Sequence, residues 1–236
     1  VPSAVLSEWE KSGLRLTFTE RDAVEGNFSQ GIASDLFVAQ FSYKKITTAL
    51  VHDCPFELYW YDKTVGASFG ISIETERVGD VTKRVTVSSM HFSFNVSPYY
   101  SKGTNAVDTQ KTKTAAGVIE KARAIVAKYA DASDYGKLIG YRDEICALVS
   151  YNDGAVSENY TGGYGDPWQL VYVFDGTPTT NVVCEGYAKA FQYLCDLTDF
   201  SGDVSCYTVH GMMAGGTGAG AHMWNIVKME DGKLYL

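Results

Sequence analysis

The stretch VVCEGYAKAFQYLC, residues 182–195, decides the fold and the chemistry of this chain more than any other. Positions 184, 188, 191 and 195 repeat at the three-and-four spacing of one helical face, which predicts an α-helix. Cys184 lies in the opening turn of that helix, where Thr180 or Asn181 is a candidate N-cap. A thiol at this place meets the positive end of the helix dipole, which favours the nucleophilic thiolate. We expect Glu185 to cap the helix or to face solvent, because adjacent helical residues diverge.

A second stretch, AHMWNIVKMEDGKLYL at residues 221–236, has the pattern of a β-hairpin. Alternation places His222 and Trp224 on one face of a strand, and Glu230-Asp231-Gly232 is a turn sequence. Another strand is predicted over residues 204–209. An imidazole at the start of a strand can take the proton of a thiol that opens a neighbouring helix. His210 is the alternative base.

The two stretches resemble the transglutaminase-like superfamily of papain-like cysteine proteases, especially its bacterial extracellular members. That family has a Cys in a C-E/D-G-Y/F-A context at a helix start and a His in an H-x-W-N context on a strand. The resemblance covers about residues 169–236 and implies that Cys184 is the nucleophile and His222 the base. It implies an α+β fold in which helices pack on a central antiparallel sheet. The family's catalytic Asp would fall just beyond Leu236, so we expect the core to be truncated at its C-terminus.

Three further side chains are candidates for the substrate side of this site. Gln169 and Tyr172 lie in a predicted strand over residues 169–174, and either could donate to an oxyanion beside the backbone N–H of Cys184. Both could equally be packed strand residues. Trp224 shares a face with His222 and could cover the imidazole, or it could be an edge aromatic.

These residues predict thiol-dependent acyl transfer or hydrolysis on a protein or peptide amide. Cys184 would form a thioester and His222 would protonate the departing amine, before water or a lysine amine completes the reaction. The sequence does not choose between a protease and a cross-linking transferase. The alternative is a non-catalytic surface module that binds protein or carbohydrate, which the 16 Tyr and the lack of the family's Asp before Leu236 favour.

The chain shows no cofactor or metal motif. Its five cysteines form no CxxC pair and have no zinc spacing, so we expect Cys146, Cys195 and Cys206 to be core residues or, less often, disulfide partners. The glycine-rich segment 211–220 precedes a strand and lacks the ending of a phosphate loop. We expect that segment to be a mobile rim of the cleft.

Composition excludes several classes of partner and favours a location. The 236 residues carry 28 Asp and Glu against 20 Lys and Arg, a net charge of −8, which gives no electrostatic reason to bind nucleic acid. No apolar run is long enough for a membrane helix. The many Tyr and Gly residues and the few Lys residues favour an extracellular or cell-surface protein.

The pattern upstream predicts an N-terminal elaboration over residues 1–107 and a catalytic core over residues 108–236. The elaboration contains a helix over about residues 34–51 and a three-stranded antiparallel sheet within residues 55–97. One of these strands is an aromatic run at residues 57–61. A phase change at Ser88-Ser89 predicts a β-bulge. In the core, two helices follow Asp108 and Ser133, and residues 152–167 are a long loop.

Overall fold

The computed structural model describes residues 16–19, 35, 37–38, 42–103, 105–161, 168–215 and 220–236. The chain divides into two compact units. One comprises the described residues up to Leu50 together with Gly66–Phe94, and the other comprises Val51–Val65 and Asn95–Leu236. Helices combine with antiparallel sheets, so the fold is α+β. The boundary at residue 107 stays a prediction.

A long β-hairpin forms most of the first unit. Strands β2 (Ala67–Val78) and β3 (Val81–Phe94) pair antiparallel, and β1 (Leu16–Thr19) pairs with the other edge of β3. Ser72 is opposite Ser89 whereas Ile73 is opposite Val87, which leaves Ser88 as the extra residue. This register shift confirms the predicted bulge, because one extra residue reverses the face of every later side chain.

The predicted strand at residues 57–61 is wrong. Residues 55–60 form turns, in which the Leu58 N–H donates to the Cys54 carbonyl oxygen at 3.1 Å and the Tyr61 N–H to that of Leu58 at 3.0 Å. An aromatic run is buried equally well in a turn, so composition without alternation misleads here. The third strand of the sheet is β1, in a segment where the sequence showed no clear period.

The predicted N-terminal helix is found in part. Helix α1 spans Tyr43–Asp53, and Asp35, Phe37 and Val38 are also helical. The helix ends just before Cys54-Pro55, as the restriction on residues that precede proline predicts. The rest of the predicted helix lies outside the described residues.

Two helices of the second unit follow the predicted apolar stripes. A 3-10 turn at Lys113–Gly117 leads into α2 (Val118–Lys128), and α3 spans Asp134–Leu148. The Ser133 side chain caps α3 by accepting the Gly136 N–H at 3.2 Å. The two helices pack together and against the following helix.

The helix that contains the CEGYAKAF motif packs on an antiparallel sheet. Helix α4 spans Cys184–Asp196 and packs on β4 (Ser205–Met213) and β5 (Gly220–Lys228). Strand β6 (Leu234–Tyr235) returns along β5 after the predicted turn, which gives the order β4-β5-β6. The two predicted strands are confirmed, and β4 is longer than expected.

Two expectations about the segments before α4 change. The predicted strand at residues 169–174 is wrong. Leu170–Tyr172 forms a 3-10 turn instead, in which the side chains of Leu170 and Val171 are buried. The predicted loop at residues 152–167 begins with a 3-10 turn at Asp153–Val156, and its residues 162–167 lie outside the described part.

One apolar core in the second unit contains side chains from α2, α3 and α4 and from the 3-10 turn Leu170–Tyr172. Its fully enclosed members include Val118, Tyr141, Leu170, Val182 and Leu194. Helix α4 is buried on nearly every face, so it is the element around which the unit is packed. Among the described helices, none has the length and apolar character needed to cross a membrane.

Candidate active site

Cys184 is the first residue of α4, as predicted, but the predicted side-chain cap is wrong. Val183 occupies the N-cap position and no side chain caps the helix. The two candidates are engaged elsewhere: the Asn181 Oδ1 accepts the Ser150 N–H at 3.1 Å, and the Thr180 hydroxyl donates to Asp175 at 2.8 Å. The N–H groups that open α4 are therefore not capped by these side chains, and the Cys184 side chain is half-buried beside them.

A distant segment runs alongside the start of α4. The Asn152 N–H donates to the Val182 carbonyl oxygen at 3.0 Å, and the Val182 N–H donates to that of Ser150 at 3.3 Å. These bonds make a parallel bridge between Tyr151 and Val182. The bridge brings Tyr151, which is more than thirty residues away in sequence, next to Cys184.

His222 lies on β5, directly opposite Gly211 of β4. Its ring is stacked with that of Trp224, with centroids 6.3 Å apart and planes inclined by 22°. Gly211 makes room for this arrangement, because a Cβ there would lie 2.8 Å from the Trp224 ring. Trp224 therefore lies beside the imidazole, on the strand face that the alternation predicted.

Cys184 and His222 line the same cleft, whose volume is about 370 Å³. The other lining residues come from α3, α4, β5 and the Tyr151 segment: Arg142, Ile145, Cys146, Tyr151, Tyr187, Ala188, Phe191, Met223, Trp224 and Asn225. A larger cavity of about 1230 Å³ shares five lining residues with this cleft: Arg142, Phe191, His222, Trp224 and Asn225. The structure thus brings together three of the five predicted site residues.

The amide of Asn225 joins α4 to the sheet. Its Nδ2 donates to the Ala188 carbonyl oxygen at 2.9 Å and to the Thr208 hydroxyl at 3.2 Å. The Thr208 N–H in turn donates to the Gln192 Oε1 at 2.7 Å. These bonds fix the helix that begins with Cys184 against the strand that carries His222.

Gln169 and Tyr172 lie apart from this cleft. Gln169 is fully buried, and its Oε1 accepts from the Lys189 ammonium at 3.3 Å. Within the described ranges, neither residue lines the cleft of Cys184 and His222. Their roles as oxyanion donors stay predictions.

His210, the alternative base, also lies elsewhere. It is exposed, pairs with Met223 in the register of β4 and β5, and its ring contacts that of His52 at 5.1 Å. Burial and the neighbouring His210 lower the pKa of His52. Among the residues that the structure describes, the histidine that lines the Cys184 cleft is His222.

The expectation that Glu185 caps the helix or faces solvent is wrong. Glu185 is buried, 2.8 Å from the Lys189 ammonium one turn later and in contact with the Lys63 ammonium. Burial favours its neutral form, yet the two ammonium groups lower the pKa of Glu185 to about 2. Burial also lowers the pKa of Lys189. Because α4 is buried all round, the side of the helix away from the cleft is interior rather than solvent-facing.

Tyr151 and Cys146 line the cleft, although neither was predicted as a site residue. Tyr151 arrives through a parallel bridge between distant segments, which no local periodicity reveals. Cys146 is exposed, on α3, and lines the same cleft as Cys184. It was expected to be a core residue, and that expectation is wrong, whereas Cys195 and Cys206 are buried as expected. All five cysteines are free thiols.

No three His, Cys, Asp or Glu side chains converge as metal ligands within the described ranges. The predicted rim at residues 211–220 is described only in part. Residues 211–213 belong to β4 and Gly220 to β5, whereas residues 216–219 lie outside the described residues.

No protein-family model matches the chain, and no curated protein matches its sequence. Solved structures that are similar include a TGase (transglutaminase), at 12% identity and a TM-score of 0.37, over 93% of this chain and 49% of that one. A protein from Cytophaga hutchinsonii with a provisional assignment as a cysteine protease is similar at 12% identity and a TM-score of 0.32, over 69% of this chain and 61% of that one. The chain thus spans about half to three fifths of the proteins it resembles. At such scores the likeness carries neither residue roles nor activity to this chain.

Proposed function

We propose that the second unit catalyses thiol-dependent acyl transfer or hydrolysis on a protein or peptide amide, with Cys184 as the nucleophile and His222 as the base. One observation carries the proposal. A thiol at the uncapped start of a buried helix lines the same cleft as an imidazole from the adjoining sheet. A nucleophile with a base beside it is the arrangement that acyl transfer through a covalent intermediate requires.

The proposed reaction has two halves. The imidazole of His222 takes the thiol proton, and the Cys184 sulfur bonds to the amide carbon, whose oxygen becomes an oxyanion. When this intermediate collapses, the carbon–nitrogen bond breaks and the His222 imidazolium gives its proton to the departing amine. Water or a primary amine then attacks the thioester and passes a proton to His222, and the thiolate leaves.

Three features of the site support this chemistry. The N–H groups at the start of α4 point positive partial charge at the Cys184 sulfur and at an oxygen that develops next to it. The amide of Asn225 holds α4 against β5, so the thiol and the imidazole keep their relation. Trp224 lies beside His222 and limits the access of water to its ring.

Thiol reactivity tests the proposal directly, and Cys146 is a built-in comparison because it is exposed in the same cleft. We expect iodoacetamide to alkylate Cys184 well below about pH 8 and much faster than Cys146, since a thiolate reacts and a thiol does not. Peptide mapping by mass spectrometry gives the rate at each site. Equal and slow labelling of the two cysteines would contradict the proposal and favour the non-catalytic module.

Activity assays then separate hydrolysis from transfer. Incubation with a mixed protein substrate such as casein and a fluorescent primary amine should give new peptides, or fluorescent protein, or both. We expect Cys184→Ala and His222→Ala to abolish whichever product forms while the far-ultraviolet circular dichroism stays unchanged. Full turnover by Cys184→Ala would place the chemistry elsewhere in the molecule.

A further inference from the structure

Tyr151 lies beside the start of α4, the helix that begins with Cys184. Its backbone forms a parallel bridge with Val182, two residues before Cys184. Tyr151 also lines the cleft that Cys184 and His222 share. Tyr151 is exposed, at 39%, and is therefore accessible from the cleft that it lines.

Two sets of contacts hold Tyr151 in place. The parallel bridge holds the backbone of Tyr151 beside Val182, which precedes Cys184 by two residues. The ring stacks on that of Tyr187, with centroids 6.2 Å apart and planes inclined by 15°. Tyr187 is itself anchored, because its hydroxyl donates to the Val149 carbonyl oxygen at 2.9 Å. A polar group held from both its backbone and its ring is suited to a task that depends on position.

The reaction proposed above creates a charge at this place. When the Cys184 sulfur bonds to the amide carbon, the carbonyl oxygen is left one atom away from the sulfur and becomes negative. Donors aimed at that oxygen lower the barrier. The backbone N–H of Cys184 is one such donor. The Tyr151 hydroxyl belongs to a side chain that lines the same cleft and is bridged beside the start of α4, so it is a second group able to donate to this oxygen.

We propose that Tyr151 is a catalytic residue whose hydroxyl, together with the backbone N–H of Cys184, holds the oxyanion of the acyl intermediate. This inference rests on the proposed function and assigns a second donor to the same site. It gives the role to a residue that lines the cleft, whereas Gln169 is buried against Lys189. Burial and the neighbouring Cys184 raise the pKa of the Tyr151 hydroxyl, so the group keeps its proton and remains a donor at neutral pH.

The test compares two reactions of the same sulfur in Tyr151→Phe, which keeps the ring and removes the hydroxyl. Acylation by p-nitrophenyl acetate passes through an oxyanion: the sulfur bonds to the carbonyl carbon, and p-nitrophenolate leaves when the double bond re-forms. Alkylation by iodoacetamide displaces iodide from a saturated carbon and forms no oxyanion. Both rates are measured on their high-pH plateau, where the thiol is fully ionised in either protein.

We expect Tyr151→Phe to slow acylation by about 100- to 1000-fold and to leave the alkylation plateau unchanged. Tyr207→Phe, in an exposed tyrosine of β4 away from the cleft, is the matched control and should change neither rate. Equal changes in both rates would overturn the proposal, since the hydroxyl would then act on the thiol alone. Faster reaction with both reagents would also overturn it, because the hydroxyl would then block the thiol. Failure of the proposed function gives a different result: Cys184 of the parent protein would acylate no faster than Cys146.

Discussion

Cys184 and Glu185 are adjacent at the start of α4, yet their side chains lie in different surroundings. The Cys184 side chain lines the open cleft, whereas the Glu185 carboxylate is buried between Lys189 and Lys63. These ion pairs join the first turn of α4 to the interior of the second unit, away from the cleft. We therefore expect Glu185 to stabilise the start of α4.

Glu185→Gln removes the negative charge and leaves the Lys189 ammonium buried next to a neutral amide. Breaking a buried ion pair from one side costs about 3 to 5 kcal/mol of unfolding free energy. In a protein of this size we expect the melting temperature to fall by roughly 10 °C. Differential scanning calorimetry measures the shift, and Glu158→Gln, at an exposed glutamate, is the control that should leave it unchanged. An unaltered melting temperature in Glu185→Gln would show that the cluster does not stabilise the fold.

The same carboxylate gives a defined pH dependence. Its pKa is about 2 in the folded protein, below that of a glutamate in an unfolded chain. A lowered pKa means that the stabilisation is complete above the unfolded value of about 4.3 and is lost as the pH falls toward the folded value. The difference in unfolding free energy between the parent protein and Glu185→Gln should therefore be constant near neutral pH and shrink toward pH 2. Urea titrations of both proteins across this range measure it, and a difference that grows in acid would contradict the assignment.

At the residue scale, the sequence predicts that Cys184 and His222 belong to one site but not what surrounds them. Cys184 and His222 are found from local patterns, a helix start and a strand start, each complete within a few residues. Tyr151 and Lys63 come from segments far away in the chain, and no spacing within one element predicts their contacts. The other partner of Glu185, Lys189, follows one turn later in α4.

Among the secondary-structure elements, β4 and β5 approach closely where Gly211 lies next to the ring of Trp224. Gly211 has an ordinary backbone conformation, so its lack of a side chain is a matter of space: an added Cβ would lie 2.8 Å from that ring. The stacked pair of His222 and Trp224 thus depends on a glycine in the neighbouring strand. We therefore expect a substitution at Gly211 of β4 to change the position of the His222 imidazole on β5.

Gly211→Ala should displace the Trp224 ring and with it the His222 ring. We expect a loss of about 1 to 3 kcal/mol in unfolding free energy, the usual cost of an overpacked site, and slower alkylation of Cys184 at neutral pH. Adding Trp224→Phe, which shortens the ring, should recover part of both losses, so the two changes are not additive. Urea unfolding and peptide-mapped labelling measure the two effects.

Gly154→Ala is the matched control, because the atom closest to an added Cβ there is 3.5 Å away, an ordinary contact. It should leave both the stability and the labelling rate of Cys184 unchanged. If Gly211→Ala behaves like this control, the ring of Trp224 has room to spare and the steric explanation is wrong.

The elements that sequence patterns predicted well are those with several full periods. In these elements the apolar residues recur often enough to predict both the kind of secondary structure and the face that is buried. They are helices α2, α3 and α4, strand β2 and the two halves of β3. The errors fall on short apolar runs at residues 57–61 and 169–174, which form buried turns. In a run this short, burial without alternation fits a turn, a strand or a helix equally well.

On the scale of the whole chain, the part Gly66–Phe94 of the first unit is inserted in the sequence of the second. Residues 60–62 and 95–97 pair within the second unit: the Asp62 N–H donates to the Asn95 carbonyl oxygen and the Ser97 N–H to that of Trp60, each at 2.9 Å. The two ends of the inserted hairpin, Gly66 and Phe94, are therefore joined to segments that already lie side by side. We therefore expect that this hairpin can be removed without displacing the two bridged segments, residues 60–62 and 95–97.

A shortened protein, residues 51–236 with residues 66–94 replaced by a short Gly-Ser linker, tests this interpretation. We expect it to unfold cooperatively and to alkylate Cys184 at the rate of the full chain, because every described residue that lines the cleft is retained. Thermal unfolding followed by circular dichroism and peptide-mapped labelling measure both properties. Cooperative unfolding with an unreactive Cys184 would mean that the first unit completes the site.

The exposed thiol on α3 gives the cleft a reporter of its own. Cys146 lines the same cavity as Cys184 without taking part in the proposed chemistry. With Cys184 replaced by alanine, an environment-sensitive dye on Cys146 would register the arrival of any peptide through its emission, in a protein that cannot consume it. A library of peptides could then be ranked by fluorescence titration before a single turnover has been observed.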